Sequence, residues 1–132
     1  MELKLETGLS ARVDMTVAYK DTAKAVASGL AEVFATPSMI ALMENAAYTA
    51  VQPYLPEGAS TVGTRIDARH LAATPVGFAV WAEAKLTAVD GRKLCFDITA
   101  YDETEKIGEA QHERFVIDER KFLSRAQAKA KR

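Results

Sequence analysis

Cysteine is nearly absent. Cys95 is the only one in 132 residues, which excludes a disulfide framework. A lone thiol suits a reducing compartment, so the expected location is the cytoplasm. An excess of charge of either sign is missing too: 17 basic side chains face 18 acidic ones, for a net charge of -1. That balance supplies no sequence-independent attraction to nucleic acid, and none is expected as a partner. Long apolar runs are also lacking. The most apolar stretch, Thr36 to Pro56, is interrupted by Glu44, Asn45, Gln52 and three prolines, so it reads as a core helix rather than a bilayer span, and no membrane partner is expected. The start, Met1-Glu2-Leu3-Lys4-Leu5-Glu6, carries acids where a signal peptide would carry an apolar run. Internal repeats and low-complexity linkers are not found.

What is present suffices for one core. The chain is 48% hydrophobic and 27% charged, and residues 1–132 are read as a single domain. Its basic tail, from about residue 120 to Arg132, reads as a frayed helix on solvated surface, with a phosphate contact as the alternative.

Periodicity orders the elements. Arg12 to Tyr19 alternates Val13, Met15 and Val17 with polar neighbours and predicts a strand. Asp21 to Gly29 is Ala-rich and reads as a helical turn with a loop. Thr36 suits a helix N-cap, Pro37 the first helical position, and Pro53 ends the helix after Val51. The period then becomes two: Val62, Thr64, Ile66, Ala68 and His70 share one parity. Phe78, Val80, Ala82, Ala84 and Leu86 share the next, up to an Asp90-Gly91 turn, and Leu94, Phe96, Ile98 and Ala100 the one after. Lys106 to Asp118 predicts a last strand with no clean hydrophobic parity. This order predicts an α+β fold, an antiparallel sheet wrapped around one long helix. Glu44 is the only charged residue from Pro37 to Pro56, so the helix is expected in the interior. The arrangement suits a hot-dog fold, whose subunits usually join their sheets as a homodimer, with pairing of dimers into a tetramer left open.

Three residues on this scaffold suggest chemistry. A carboxylate in an apolar helix loses hydration and needs a partner or a use. Glu44 is therefore a candidate general base or nucleophile, its basicity raised by partial burial; the alternatives are a solvent-facing side chain or one neutralised by a structural arginine. Thr36 precedes it by eight positions, about 12 Å along the axis and on nearly the same side. Helical side chains lean toward the N-terminus, so Glu44 and Thr36 are expected to share a pocket for a small carbonyl. Its far wall would be the helix start, whose free N–H groups at Ser38, Met39 and Ile40 favour an oxyanion. Thr36 taken alone is better explained by capping. His70 falls on the parity facing the helix and could move protons, unless a bulge near Arg69 inverts it. A hydrogen-bonded structural histidine is the alternative.

Other positions carry less. His112-Glu113-Arg114 reads, from pattern alone, as a surface charge cluster. Neither histidine has a companion at zinc-ligand spacing, so no metal and no other cofactor is expected. Cys95 is read as an inert thiol. Gly63 interrupts a strand, which suggests a bulge or a backbone approached closely by ligand.

At these residues the chain resembles a known family. Glu32-Val33-Phe34-Ala35-Thr36, Met39, Leu42-Met43-Glu44 and Ala46 are similar to the fluoroacetyl-CoA thioesterase family of the hot-dog superfamily. So are His70, Ala72-Ala73-Thr74-Pro75 with Gly77, Ile107-Gly108 and His112-Glu113-Arg114, at nearly constant spacing from about Glu32 to Phe122. The resemblance implies a hot-dog dimer that hydrolyses short acyl-CoA thioesters without metal. It implies catalytic roles for Thr36, Glu44 and His70, and substrate-pocket roles for Gly63 and Arg114, which lifts Arg114 above the surface reading. Two departures stand out. The family's lid phenylalanines have no counterpart in Ala23 to Ala31, where Leu30 stands near one of their positions, so selectivity for fluoroacetate is not implied. Pro37-Ser38 also replaces a glycine-containing helix start. The alternative functions are a hot-dog domain that binds acyl-CoA without turnover and, third, an enoyl-CoA hydratase.

Overall fold

The computed structural model describes residues 2–130. Five strands form one antiparallel sheet: β1 (Ser10–Thr16), β2 (Ala59–His70), β3 (Ala79–Asp90), β4 (Lys93–Asp102) and β5 (Lys106–Asp118). The helix α1 (Thr36–Val51) packs against it, and α2 (Glu119–Ala128) closes the described chain. This is the expected α+β hot-dog architecture. The spatial order is β1-β3-β4-β5-β2, so only β3, β4 and β5 form a consecutive meander. The connection 71–78 carries the chain from β2, on the far side of β5, to β3. It thereby sets the end of β2 beside the start of α1.

The strand parities hold where the pattern was clean. Val80, Ala82, Ala84 and Leu86 of β3 are buried, as are Leu94, Phe96, Ile98 and Ala100 of β4. β1 is shorter than expected and starts earlier. Its inner residues Ala11, Val13 and Met15 pack on the core, whereas Tyr19–Asp21 tightens into a 3-10 turn. Residues 22–34 form a loop closed by Ala23 N–H to the Val33 carbonyl (2.9 Å) and Lys24 N–H to the Ala31 carbonyl (3.0 Å).

Three expectations are corrected. In β2 an extra residue at Thr64 shifts the register between Gly63 and Arg65, so the single parity from Val62 to His70 does not exist. Thr61 and Gly63 lie inward before the bulge; Ile66, Ala68 and His70 lie inward after it. In β5 the inward parity is Gly108, Ala110, His112, Arg114 and Val116. It was invisible as hydrophobic alternation because two of its members are a histidine and an arginine. His112 is 2% and Arg114 7% exposed, which overturns the surface-cluster reading.

The third correction concerns α1. Met39, Leu42, Met43, Ala46, Ala47, Ala50 and Val51 are buried against the sheet, the larger of them contributing about 2 kcal/mol each. The opposite stripe, with Thr36, Ala41, Tyr48 and Thr49, is exposed in this chain. One sheet wraps one side of a helix, and small residues on the other side carry too little polarity to reveal it. The tail from 119 is helical and exposed. Its start is capped by Asp118, which accepts from the Lys121 N–H at 3.1 Å; Lys131 and Arg132 lie outside the described residues.

Candidate active site

Two polar clusters hang on α1. The first is at its start. Ala35, not Thr36, is the N-cap, and it makes no side-chain cap bond. Thr36 is therefore the first helical residue, and its hydroxyl is free for another partner: Oγ1 lies 2.7 Å from His70 Nδ1. The same shift uses up the Met39 amide, which donates to the Ala35 carbonyl at 2.9 Å. Ile40 by the same rule is paired with Thr36, leaving Thr36 and Ser38 as the amides without an intrahelical acceptor. The expected donor set at Ser38, Met39 and Ile40 thus contracts to the first turn.

His70 closes β2, opposite Gly108 of β5. A Cβ at Gly108 would stand 2.5 Å from Met39 Sδ and 3.0 Å from the Arg69 carbonyl oxygen. Glycine there lets α1 and the end of β2 approach closely enough for Thr36 to reach the imidazole. Burial pushes the His70 pKa below its ordinary value, with the nearby Ala72 backbone opposing. Its Nε2 is buried with no protein hydrogen-bond partner. A cavity of about 360 Å³ opens here, lined by Thr36, His70, Ala23, Ala35, Ala72 and Ala73 among others. Its far wall is pinned from below. Buried Thr74 donates to Asp102 Oδ2 at 2.7 Å, and the Phe34 N–H donates to the Thr74 carbonyl at 2.8 Å.

The second cluster lies two turns along. Glu44 keeps 38% of its side chain exposed, and its Oε2 stands 3.8 Å from Arg114 Nη1 and 4.0 Å from His112 Nε2. Gly63 makes the seat: a Cβ there would fall 2.7 Å from Glu44 Oε2 and 3.3 Å from Arg114 Nη1. Gly63 therefore adjoins a bulge, as one reading had it, and what approaches its backbone here is the Glu44 carboxylate. Arg114 is held by Nε to Thr61 Oγ1 (2.7 Å) and Nη2 to the Thr61 carbonyl (3.0 Å). Burial lowers its pKa, and Glu44 and Tyr48 oppose that. Its guanidinium carbon lies 5.8 Å from the Tyr48 ring centroid.

The structure thus joins Thr36 to His70, and Glu44 to Gly63 and Arg114. Among the described residues no hydrogen bond or ion pair links the two groups, and the Thr36–His70 cavity is not lined by Glu44. The single pocket expected between Glu44 and the helix start is, in one chain, two sites on one helix. His112 is the residue that sequence reasoning missed. Its signal was parity, since Ala110, His112, Arg114 and Val116 alternate inward. Among the described residues there is no group of three or more His, Cys, Asp or Glu suited to a metal, and no helix long and apolar enough to cross a membrane.

Comparison with known proteins gives this geometry a context. Residues 17–120 match the family FlK, fluoroacetyl-CoA-specific thioesterase. The fluoroacetyl-CoA thioesterase of Streptantibioticus cattleyicolor is 44% identical over 98 residues, which are 74% of this chain and 70% of that protein. A crystal structure of the fluoroacetyl-CoA thioesterase FlK superposes with a TM-score of 0.90 at 36% identity, covering 96% of this chain and 98% of that one. A Thermus thermophilus thioesterase-superfamily protein reaches a TM-score of 0.89 at 25% identity, over 97% of this chain and 95% of its own. With the family match running from before α1 to beyond β5, the chain belongs to the fluoroacetyl-CoA-specific thioesterase family and is a hot-dog hydrolase of acyl-CoA thioesters.

Proposed function

We propose that Thr36, Glu44 and His70 carry out the hydrolysis and that Gly63 and Arg114 shape the substrate site. The observation that carries this reading is the 2.7 Å contact between a helix-start hydroxyl and a half-buried imidazole at the mouth of a cavity. With its pKa lowered, His70 is neutral at pH 7, and Nδ1 accepts the Thr36 proton. The unpaired Ser38 and Thr36 amides, at the positive end of α1, suit the oxygen of a tetrahedral intermediate. Glu44 supplies the carboxylate, which attacks the thioester carbon to give an anhydride that water then hydrolyses, or takes a proton from water. Either route ends in CoA thiol and free acid, and either needs a second copy to complete the site, because Glu44 does not line the Thr36–His70 cavity of its own chain.

The proposed substrates are short acyl-CoA thioesters rather than fluoroacetyl-CoA in particular. From residues 23–31 only Ala23 and Ser28 line the cavity, beside Val33 and Phe34 nearer the helix, and Leu30 points outward, 91% exposed. We also propose a cytoplasmic homodimer. The exposed stripe of α1 lies between the two clusters, and a second copy covering it would enclose both. No cofactor is part of the scheme.

The test is thiol release across acyl-CoAs of graded length. Activity on acetyl- and propionyl-CoA that falls with chain length is expected. Glu44→Gln should reduce it by at least about 100-fold with the circular dichroism spectrum unchanged. Ligand-induced thermal stabilisation without thiol release would instead favour a binding domain.

A further inference from the structure

His112 is among the most deeply buried polar side chains, and both of its ring nitrogens are committed. Nδ1 lies 2.7 Å from the Arg65 carbonyl oxygen, which only accepts, so Nδ1 carries the hydrogen. Nε2 is then the lone-pair nitrogen, and Arg114 Nη1 donates to it at 3.2 Å. The acceptor at Nδ1 depends on the β2 irregularity. One residue more in β2 than in β5 interrupts the ladder at Thr64, and the Arg65 carbonyl beside it takes a side-chain donor. Two strands thus hold one imidazole in one tautomer.

Arg114 is fixed from two sides in consequence. Thr61 holds Nε and Nη2, and His112 holds Nη1, leaving one Nη1 hydrogen for the side where Glu44 Oε2 stands 3.8 Å away. That gap exceeds a hydrogen bond, so the guanidinium acts on Glu44 as a placed charge with a spare donor. We propose that His112 is a positioning residue for the hydrolysis, anchored on the Arg65 carbonyl and setting the Arg114 guanidinium against Glu44. The kinetic consequence rests on Glu44 and Arg114 acting as proposed above; the structural relay does not.

Two substitutions separate positioning from packing. His112→Phe keeps a ring and removes both polar contacts. His112→Gln places an amide oxygen near the Nε2 position, where it can accept from Arg114. In His112→Phe, with folding checked by circular dichroism, kcat for thiol release should fall about tenfold to hundredfold. KM should change less, and His112→Gln should recover most of the loss. In an Arg114→Lys background His112→Phe should cost little more, because its target is already gone. The Arg114 Nη1–H signal in a 15N spectrum, whose bond to His112 Nε2 the Phe substitution removes, provides a readout independent of activity. It should exchange slowly in the native protein and in His112→Gln, and rapidly in His112→Phe. An unchanged signal in His112→Phe, or a full additional loss in the Arg114→Lys background, overturns the assignment. A signal that responds as expected, in a protein whose kcat does not, leaves the relay standing and removes the proposed roles of Glu44 and Arg114.

Discussion

A hydroxyl 2.7 Å from an imidazole nitrogen and a carboxylate seated over a glycine are the two contacts on which the chemistry turns. Each gives a prediction at the level of one side chain. Thr36→Val keeps the shape and removes the proton donor to His70, so thiol release should drop by about 100-fold, and Thr36→Ser should retain much of it. Gly63→Ala places a methyl 2.7 Å from Glu44 Oε2. The carboxylate and the Arg114 guanidinium must both give way, so activity should fall while the thermal midpoint moves little. A stability loss as large as the activity loss would show that Gly63 serves the strand rather than the site. Glu44 was conspicuous in the sequence as the one charge in an apolar helix, whereas Thr36 taken alone read as a cap, a role that falls to Ala35. His112 was not: beside Glu113 and Arg114 it looks like a charged surface, and only the β5 register turns it inward.

At the level of elements, the decisive contacts are those that bring segments distant in sequence together. Asp102, at the end of β4, accepts from the Thr74 hydroxyl and from the Thr104 and Glu105 amides. Burial alone would raise its pKa, but these donors outweigh it and the net shift is downward. Its stabilising contribution is therefore present above the unfolded value of about 3.9 and is lost as pH falls through the lower folded value. Asp102→Ala leaves four donors, the Thr104 hydroxyl among them, without their acceptor and should cost about 1–3 kcal/mol, read as a lowered thermal midpoint. Because Thr74 carries the loop that walls the Thr36–His70 cavity, thiol release should decline as well. Gly108→Ala should destabilise by about 1–3 kcal/mol, since a methyl there meets Met39 and the Arg69 backbone. The length of α1 and the β3–β4 turn followed from local signals, Pro37, Pro53 and Asp90-Gly91. The β2 bulge had one local signal, Gly63, but the register shift it causes appears only in pairing with β5.

Across the whole molecule, one buried and one half-buried histidine set the response to acid. His70 and His112 both have pKa values lowered first by burial; for His112 the Arg65 carbonyl opposes and Arg114 adds to the lowering. The unfolded chain takes up these protons near the ordinary value of about 6.5, whereas the folded protein resists until lower pH. Stability should thus be level above about pH 7 and decline as pH falls below about 6.5, measured as the urea midpoint. His112→Gln should make that decline shallower. The acid limb of thiol release should likewise fall below the pH at which a free imidazole titrates, because the His70 pKa is lowered.

Composition and alternation alone determined that this chain forms an antiparallel sheet packed on a long helix, and that the helix carries one anomalous acid. These properties depend on sums of burial and on spacing along the chain, which a linear sequence records directly. The tertiary structure alone decided which face of β5 is inside, that Thr36 spends its hydroxyl on His70 instead of a cap, and that Glu44 meets Arg114. Those outcomes depend on strand register and on contacts between residues more than thirty positions apart, where one inserted residue reverses every side chain beyond it.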